Sequence, residues 1–185
     1  MPSAERTTPL LVLGLGNVLC GDDGLGIEAV ARLAELYQLP EGVRVLDGGT
    51  LGLALLPHVL DAEGVILVDA IRGDGPPGAP VRIDGDAVAP AVAGRLSPHQ
   101  VGVADLLDAA RLLGRVPPRL VLLGLVPRSL DLGLGLSPAV AAALPDLLDR
   151  IAAEAQAWGF DFVRKATSHE AANAGRASVL LGVGV

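Results

Sequence analysis

Apolar and polar positions follow two patterns along the chain. In the first, apolar residues succeed one another almost without interruption, which is typical of parallel strands buried on both faces. These runs predict strands at 10–14, 43–46, 64–69 and 119–126. In the second, apolar residues recur at the spacing of one helix face. This pattern predicts helices at 24–37, 51–60, 97–113 and 137–158.

Strands that alternate with helices predict an α/β fold. We expect a single twisted, mostly parallel sheet of about five strands sandwiched between helices. The short run 81–83 carries Arg82 and is expected at the edge of this sheet. One domain is expected to span residues 1–164. Residues 165–185 are rich in Ala, Gly and Ser, and are expected to form a flexible tail whose last apolar residues could add a strand.

Composition and charge narrow the classes of function. Acidic residues outnumber basic ones by 21 to 14, so the net charge is −7 and no nucleic-acid partner is expected. No apolar run reaches the roughly 20 residues that a membrane-spanning helix needs. The single cysteine, Cys20, excludes an intramolecular disulfide framework. We therefore expect a cytoplasmic protein without a membrane partner, and we expect it to be a monomer.

Acidic side chains follow three of the predicted strands. Asp22 and Asp23 come shortly after the first strand, Asp47 is expected to end the second, and Asp69 is the last residue of the third. Ligands of open α/β sheets bind at the carboxyl ends of the parallel strands. We therefore expect these carboxylates to converge on a site at that edge of the sheet.

A phosphate-binding loop is one interpretation of the stretch GLGNVLCGDDGLG at 14–26. Its first two glycines follow a strand, as they do in dinucleotide-binding loops. Such a loop requires a third glycine where this chain has Leu19. The carboxylates of Asp22 and Asp23 would also repel a pyrophosphate at the start of the helix. The residues therefore argue against a phosphate site.

Each of these carboxylates also has a structural explanation. Asp22 precedes the helix that is predicted to start near Gly24, and it is expected to cap that helix. Asp23 cannot cap the same helix end as well, so it is the better candidate for a functional role. Asp69 could accept turn hydrogen bonds at the end of its strand or act in a site, and its residue type alone leaves both roles open.

His99 stands in the sequence LSPHQVGVADLL. Ser97, Pro98 and Gln100 are expected to form a capping box at the start of the following helix, and the Ser-Pro pair at Ser137 is expected to start the last helix in the same way. His99 is not needed for capping. In the first turn, the helix dipole disfavours a charged imidazole and thus favours the neutral, metal-binding form.

Two carboxylates and one imidazole form the candidate site. Asp23, Asp69 and His99 together suit a divalent transition metal with open coordination positions. Cys20 is an alternative nucleophile that would need a basic partner such as His99. Because no further acid is clearly placed to support that pair, a role for Cys20 as a small apolar filler is favoured.

The motifs LGLGNVLCGDDGLG, LDGGTLG, VDA and LSPHQVGVADLL, in this order and spacing, resemble the hydrogenase maturation endopeptidases. The later stretch LVLLGLVPRSLDLGLGLSPAV is also similar to that family. The resemblance extends from about residue 10 to 157 and leaves the tail uncovered. It implies a twisted α/β sheet between helices. It also implies removal of a short C-terminal peptide from the [NiFe]-hydrogenase large-subunit precursor after nickel insertion.

The resemblance also implies roles for residues. The two family acids that contact nickel fall on Asp23 and Asp69, and the family histidine falls on His99, so these three residues are expected to be both catalytic and nickel-binding. The segment Asp47, Gly48, Gly49 and Thr50 matches a motif beside the cleft and is expected to bind substrate, its glycines letting the precursor backbone approach closely. We expect the precursor to supply the nickel.

Two routes to peptide hydrolysis stay open at this point. A metal ion can activate water, or a carboxylate such as Asp22 or Asp23 can act as general base. The chain contains neither Gly-x-Ser-x-Gly nor His-Glu-x-x-His. The alternative function is a non-enzymatic nickel-binding or nickel-sensing protein that uses the same three ligands.

Overall fold

The computed structural model describes residues 6–93 and 98–165, with the side chains of residues 92, 93 and 98–101 excepted. The strands in this part of the chain are β1 Thr8–Leu15, β2 Tyr37–Gln38, β3 Val43–Gly49, β4 Ala62–Ala70, β5 Pro80–Asp84, β6 Arg119–Leu125 and β7 Val163–Arg164. The α-helices are α1 Leu25–Leu36, α2 Leu56–Asp61, α3 Val88–Ala93, α4 Pro98–Leu112 and α5 Pro138–Ala157. Short 3-10 turns at Gly21–Gly24, Gly52–Leu55 and Gly85–Ala87 precede α1, α2 and α3.

Five of the strands form one sheet in the order β3-β1-β4-β6-β5. The first four are parallel to their neighbours, and β5 is antiparallel to β6. In register, Leu67 at the centre of β4 lies beside Leu13 of β1 and Leu122 of β6. The predicted α/β fold with a mostly parallel sheet is confirmed, and the run 81–83 does lie in an edge strand.

Two apolar cores cover the two faces of the sheet. Alternate residues of the central strands, such as Val12 and Ile66, pack with α1 and α5. The residues between them, such as Leu13 and Leu67, pack with α2, α3 and α4. Each fully buried side chain of this size contributes about 1.5–3 kcal/mol. Burial on both faces explains why the strands read as continuous apolar runs.

Glycines bring α1 into direct contact with the sheet. A Cβ atom on Gly26 would overlap the carbonyl oxygens of Leu15 and Val68, and one on Gly16 would overlap the carbonyl oxygen of Asp23. These glycines are therefore required for close packing of strand and helix. Gly14 and Gly16, whose spacing is compatible with a phosphate loop, both have this packing role, since a Cβ atom on Gly14 would overlap the carbonyl oxygen of Gly26.

Some elements differ from the sequence-based expectation. The strand expected at 43–46 continues as β3 to Gly49, because its hydrogen bonding with β1 persists across a register shift after Gly14. The pair β2 and β7 and the short helix α3 were not predicted, since two-residue strands and one short helix carry little periodicity. Most of the predicted tail, residues 166–185, lies outside the described residues. Within the described part, no helix is long and apolar enough to cross a membrane.

Candidate active site

Asp23 lies in the 3-10 turn that joins β1 to α1. This residue is only 3% exposed. The backbone is held on both sides, because Asp23 N–H donates to the carbonyl of Cys20 (3.2 Å) and its own carbonyl accepts from Asn17 N–H (3.2 Å). The missing Cβ of Gly16 makes room for that carbonyl. The local fold thus holds a buried carboxylate at the end of β1.

Asp69 is the penultimate residue of β4, the middle strand of the sheet. It is 1% exposed, and its carboxylate accepts a hydrogen bond from Ala70 N–H at 2.7 Å. Its neighbour across the β4–β6 pair is Gly124, where a Cβ atom would overlap the Asp69 carbonyl oxygen. The glycine on β6 therefore allows the strands to approach closely at the end of β4.

Asp23 and Asp69 lie at the same edge of the sheet. Strands β1 and β4 are parallel neighbours, and the turn Gly21–Gly24 contacts β4 directly. Transfer of a carboxylate from water into the protein is costly unless hydrogen-bond donors or a cation compensate for it. Aspartates are seldom so completely buried in a packed core, so Asp23 and Asp69 are candidates for a functional site.

His99 lies in the first turn of α4, and its side chain is outside the described residues. The backbone of this helix is anchored near the site by glycines. A Cβ atom on Gly52 would lie 3.2 Å from the Cα atom of Gly102. The start of α4 therefore packs against the turn that follows β3, at the same edge of the sheet as Asp69. Ser97 is not described, so the predicted capping box stays a prediction.

The segment from Asp47 to Thr50 lies beside the loop that follows β1. Asp47 is exposed and accepts a hydrogen bond from Gly49 N–H at 3.0 Å. Gly49 has a φ of +46°, and its carbonyl accepts from Gly16 N–H at 3.1 Å. Gly48 is buried, and a Cβ atom there would lie 2.7 Å from a methyl group of Leu13. Both glycines therefore have a folding role, and their substrate role stays a prediction.

Asp22 does not cap α1, which corrects the sequence-based expectation. The N-cap of α1 is Gly24, and no side chain bonds to that helix end. The buried Asp22 carboxylate instead accepts hydrogen bonds from Arg128 N–H (2.7 Å) and Ser129 N–H (3.4 Å) in the loop after β6. It also accepts from the N–H (2.6 Å) and the hydroxyl (2.9 Å) of Ser137. Asp22 thus links the turn between β1 and α1, in which it lies, to the loop after β6.

Ser137 also differs from its prediction. It is the N-cap residue of α5 by position, but its side chain makes no capping hydrogen bond. The hydroxyl donates to Asp22 instead. A serine before proline signals a helix start, and nothing in the local sequence distinguishes a hydroxyl that caps from one that bonds to a distant carboxylate. The role of Asp22 was missed for the same reason.

Cys20 is half-buried where the loop after β1 contacts the loop after β6. It forms an isolated parallel bridge with Gly133.

Among the residues with described side chains, which exclude His99, no group of three or more His, Cys, Asp or Glu side chains is arranged to hold a metal ion. The predicted set of Asp23, Asp69 and His99 therefore stays a prediction, of which the structure brings the two aspartates to one edge.

The fold and these buried carboxylates define the class of the protein: an open α/β fold with an acidic candidate site at the carboxyl edge of its sheet. The hydrogenase maturation protease family model matches residues 27–154. The chain belongs to the hydrogenase maturation protease family. It is therefore a peptide hydrolase, as the sequence motifs predicted, and this assignment argues against a non-enzymatic nickel-binding protein.

Individual relatives agree with this assignment. The chain is 43% identical over 167 residues to the hydrogenase expression/formation protein HupD of Rhodobacter capsulatus, covering 89% of this chain and 79% of the relative. The hydrogenase maturating endopeptidase HybD from Escherichia coli superposes with a TM-score of 0.82 at 35% identity, covering 85% and 98% of the two chains. The [NiFe] hydrogenase maturation protease HybD from Thermococcus kodakarensis gives 0.63 at 31% identity, covering 77% and 96%.

Proposed function

We propose that this endopeptidase removes the C-terminal extension of a [NiFe]-hydrogenase large-subunit precursor that already carries nickel. The metal in the precursor is the element that the enzyme recognises. The observation that carries this proposal is the pair of almost fully buried carboxylates, Asp23 and Asp69, at the same edge of the sheet. In a family of maturation proteases, such a pair is suited to bind a cation that arrives with the substrate.

The proposed ligand set is incomplete without the precursor. Asp23 and Asp69 offer carboxylate oxygens, and His99 in the first turn of α4 would add an imidazole nitrogen. Imidazole suits nickel, and soft thiolates are the ligands that a metalloprotein precursor can add. Three protein ligands leave coordination positions for the precursor, so the enzyme would distinguish loaded from unloaded substrate.

The reaction is hydrolysis of one peptide bond. A water oxygen adds to the carbonyl carbon, the C–N bond breaks, and the leaving amine takes up a proton. Either the precursor's nickel lowers the pKa of the attacking water or a carboxylate of the site removes the proton. Asp47 to Thr50, beside the same edge, would hold the extended precursor chain next to these groups.

The test is to mix the purified enzyme with nickel-loaded precursor and to follow the precursor's mass. We expect loss of a C-terminal peptide, and no cleavage of precursor that lacks nickel. Asp23→Asn, Asp69→Asn and His99→Ala should each lower the cleavage rate by at least about 100-fold, the scale of losing a general base or a metal ligand. Asp146→Asn, at an exposed position of α5, is the matched control.

Each part of the proposal has its own contradicting result. Nickel binding without loss of a peptide would favour a nickel-binding accessory protein. Equal cleavage of loaded and unloaded precursor would overturn recognition of nickel while leaving the endopeptidase activity in place. Normal cleavage by the His99→Ala variant would remove His99 from the site.

A further inference from the structure

Exposed apolar side chains are concentrated around the candidate site. Among the described residues, nine large apolar side chains are markedly exposed, and six of them lie in loops at the carboxyl edge of the sheet. These six are Val18 (48%), Leu19 (56%), Leu51 (60%), Leu53 (53%), Leu132 (88%) and Leu134 (83%). Single exposed leucines are ordinary on protein surfaces, whereas a grouping of them marks an interaction site.

The strand order places these side chains on both sides of Asp69. Strand β4, which carries Asp69, lies between β1 and β6, and β3 lies on the other side of β1. Val18 and Leu19 follow β1, Leu132 and Leu134 follow β6, and the remaining two leucines follow β3. These six side chains form the apolar collar.

Two loops of the apolar collar are fixed to each other. Gly21 N–H donates to the carbonyl of Gly133 at 2.8 Å, and Gly133 N–H donates to the carbonyl of Leu19 at 2.9 Å. The Asp22 carboxylate adds its bonds to Arg128 and Ser137. The loop that carries Leu132 and Leu134 is therefore held in place by these hydrogen bonds. A surface that is ordered before binding loses less entropy when a partner covers it.

The groove beside the apolar collar is electrically neutral. It has a volume of about 460 Å³ and is lined by apolar groups that include Val18, Leu134 and Leu144. Its two charged side chains, Glu28 and Arg32, bind each other at 2.9 Å. Because these charges are paired, the groove is suited to an apolar segment of a partner and not to a charged one.

We propose that the apolar collar is the docking surface for the large-subunit precursor, and that it takes up apolar side chains of the precursor that flank the cleavage site. This inference rests on the proposed function. The substrate of the enzyme is a protein, and its scissile bond must reach Asp23 and Asp69. The precursor residues on either side of that bond must then cover the loops that surround these aspartates. Because the apolar collar surrounds the candidate site, the precursor segment next to the scissile bond is its occupant.

The test compares two pairs of exposed leucines. The double variant Leu132→Ser, Leu134→Ser removes two collar side chains, and the control Leu112→Ser, Leu113→Ser changes a pair at the end of α4 that is 89% and 57% exposed. The control pair precedes Arg115, which donates to the carbonyl of Leu60 near the opposite edge of the sheet. We expect the collar variant to raise KM for the nickel-loaded precursor about tenfold with kcat unchanged, and the control to match the wild type.

Thermal unfolding and a second collar pair complete the experiment. Both leucine pairs are exposed, so their variants should unfold at the wild-type temperature within a few degrees. Leu51→Ser, Leu53→Ser on the other side of Asp69 should also raise KM. Equal KM values for the collar and control variants would overturn the proposal. A wild-type dimer that the collar substitutions dissociate, with KM unchanged, would assign the surface to a second copy of the chain. Failure of the wild type to cleave the precursor would instead reject the proposed function.

Discussion

The carboxylate of Asp22 binds both the main-chain N–H and the hydroxyl of Ser137, a residue 115 positions further along the chain. The two hydrogen bonds measure 2.6 and 2.9 Å. They hold the start of α5 against the turn that carries Asp23. A structural carboxylate thus lies next in sequence to a candidate catalytic one, and each is buried for a different reason.

Replacement of Asp22 by alanine is expected to lower the free energy of unfolding by about 3 kcal/mol, because a buried charged acceptor is lost and its donors are left unsatisfied. Ser137→Ala removes only the hydroxyl bond and should cost about 1 kcal/mol. Urea denaturation of the two variants and the wild type measures both values. Equal losses for the two variants would contradict a contribution from the hydrogen bonds that Arg128 N–H and Ser129 N–H donate to Asp22.

Gly26→Ala is expected to lower the free energy of unfolding by about 3 kcal/mol or more, since the new methyl group would overlap carbonyl oxygens of β1 and β4 and push α1 off the sheet. Gly133→Ala is the control, because the nearest atom to a Cβ there lies 3.9 Å away. Chemical denaturation should show less than about 1 kcal/mol of change for this control. A stable Gly26→Ala variant would show that α1 does not need this close approach.

Tyr37 is expected to make the fold sensitive to alkaline pH. It is the single tyrosine of the chain and is buried. Burial raises its pKa above the ordinary 10.0, and its hydrogen bond to Asp149 (2.8 Å) acts in the same direction. The unfolded chain therefore loses the tyrosine proton first, so the contribution of Tyr37 is fully present below pH 10.0 and is lost as pH rises through the higher folded pKa.

Two measurements check this expectation. The absorbance of tyrosinate, which reports Tyr37 alone, should appear above pH 10.0 in the folded protein and near it in the denatured chain. Tyr37→Phe should be about 1 kcal/mol less stable at neutral pH, and its stability should fall less steeply above pH 10.0 than that of the wild type. Parallel stability curves for the two proteins would exclude Tyr37 as the titrating group.

Much of the fold could be predicted from the sequence because the burial of a strand or helix determines the pattern of apolar residues along it. The strand β4 is buried on both faces, and its run of apolar residues showed this directly. The spacing of apolar residues likewise predicted α1, although its buried face consists of Leu25, Ala29, Val30 and Leu33, whereas Ala34, which the same spacing placed on that face, is exposed. The site could be predicted in part for a related reason. Once the strands are known to be parallel, residues at or just after their carboxyl ends, such as Asp69 and Asp23, must lie at the same edge.

The roles of the glycines needed the tertiary structure. The spacing of Gly14 and Gly16 after a strand is compatible with a phosphate loop or with tight helix packing. Only the position of α1 shows that a side chain at Gly16 would collide with the Asp23 carbonyl. The sequence shows that a glycine has no side chain, but it does not show which neighbouring atoms leave no room for one.

The sequence by itself determined the succession of strands and helices along the chain and the family motifs, since these depend on residues close together in the chain. It also determined the acidic edge, because parallel strands end at the same edge of a sheet. Tertiary structure decided where Asp22 binds, how β2 pairs with β7, and that the exposed leucines after β1, β3 and β6 surround the site. These features depend on contacts between residues that are distant in sequence. Such contacts form only when strand order and helix packing bring the loops together.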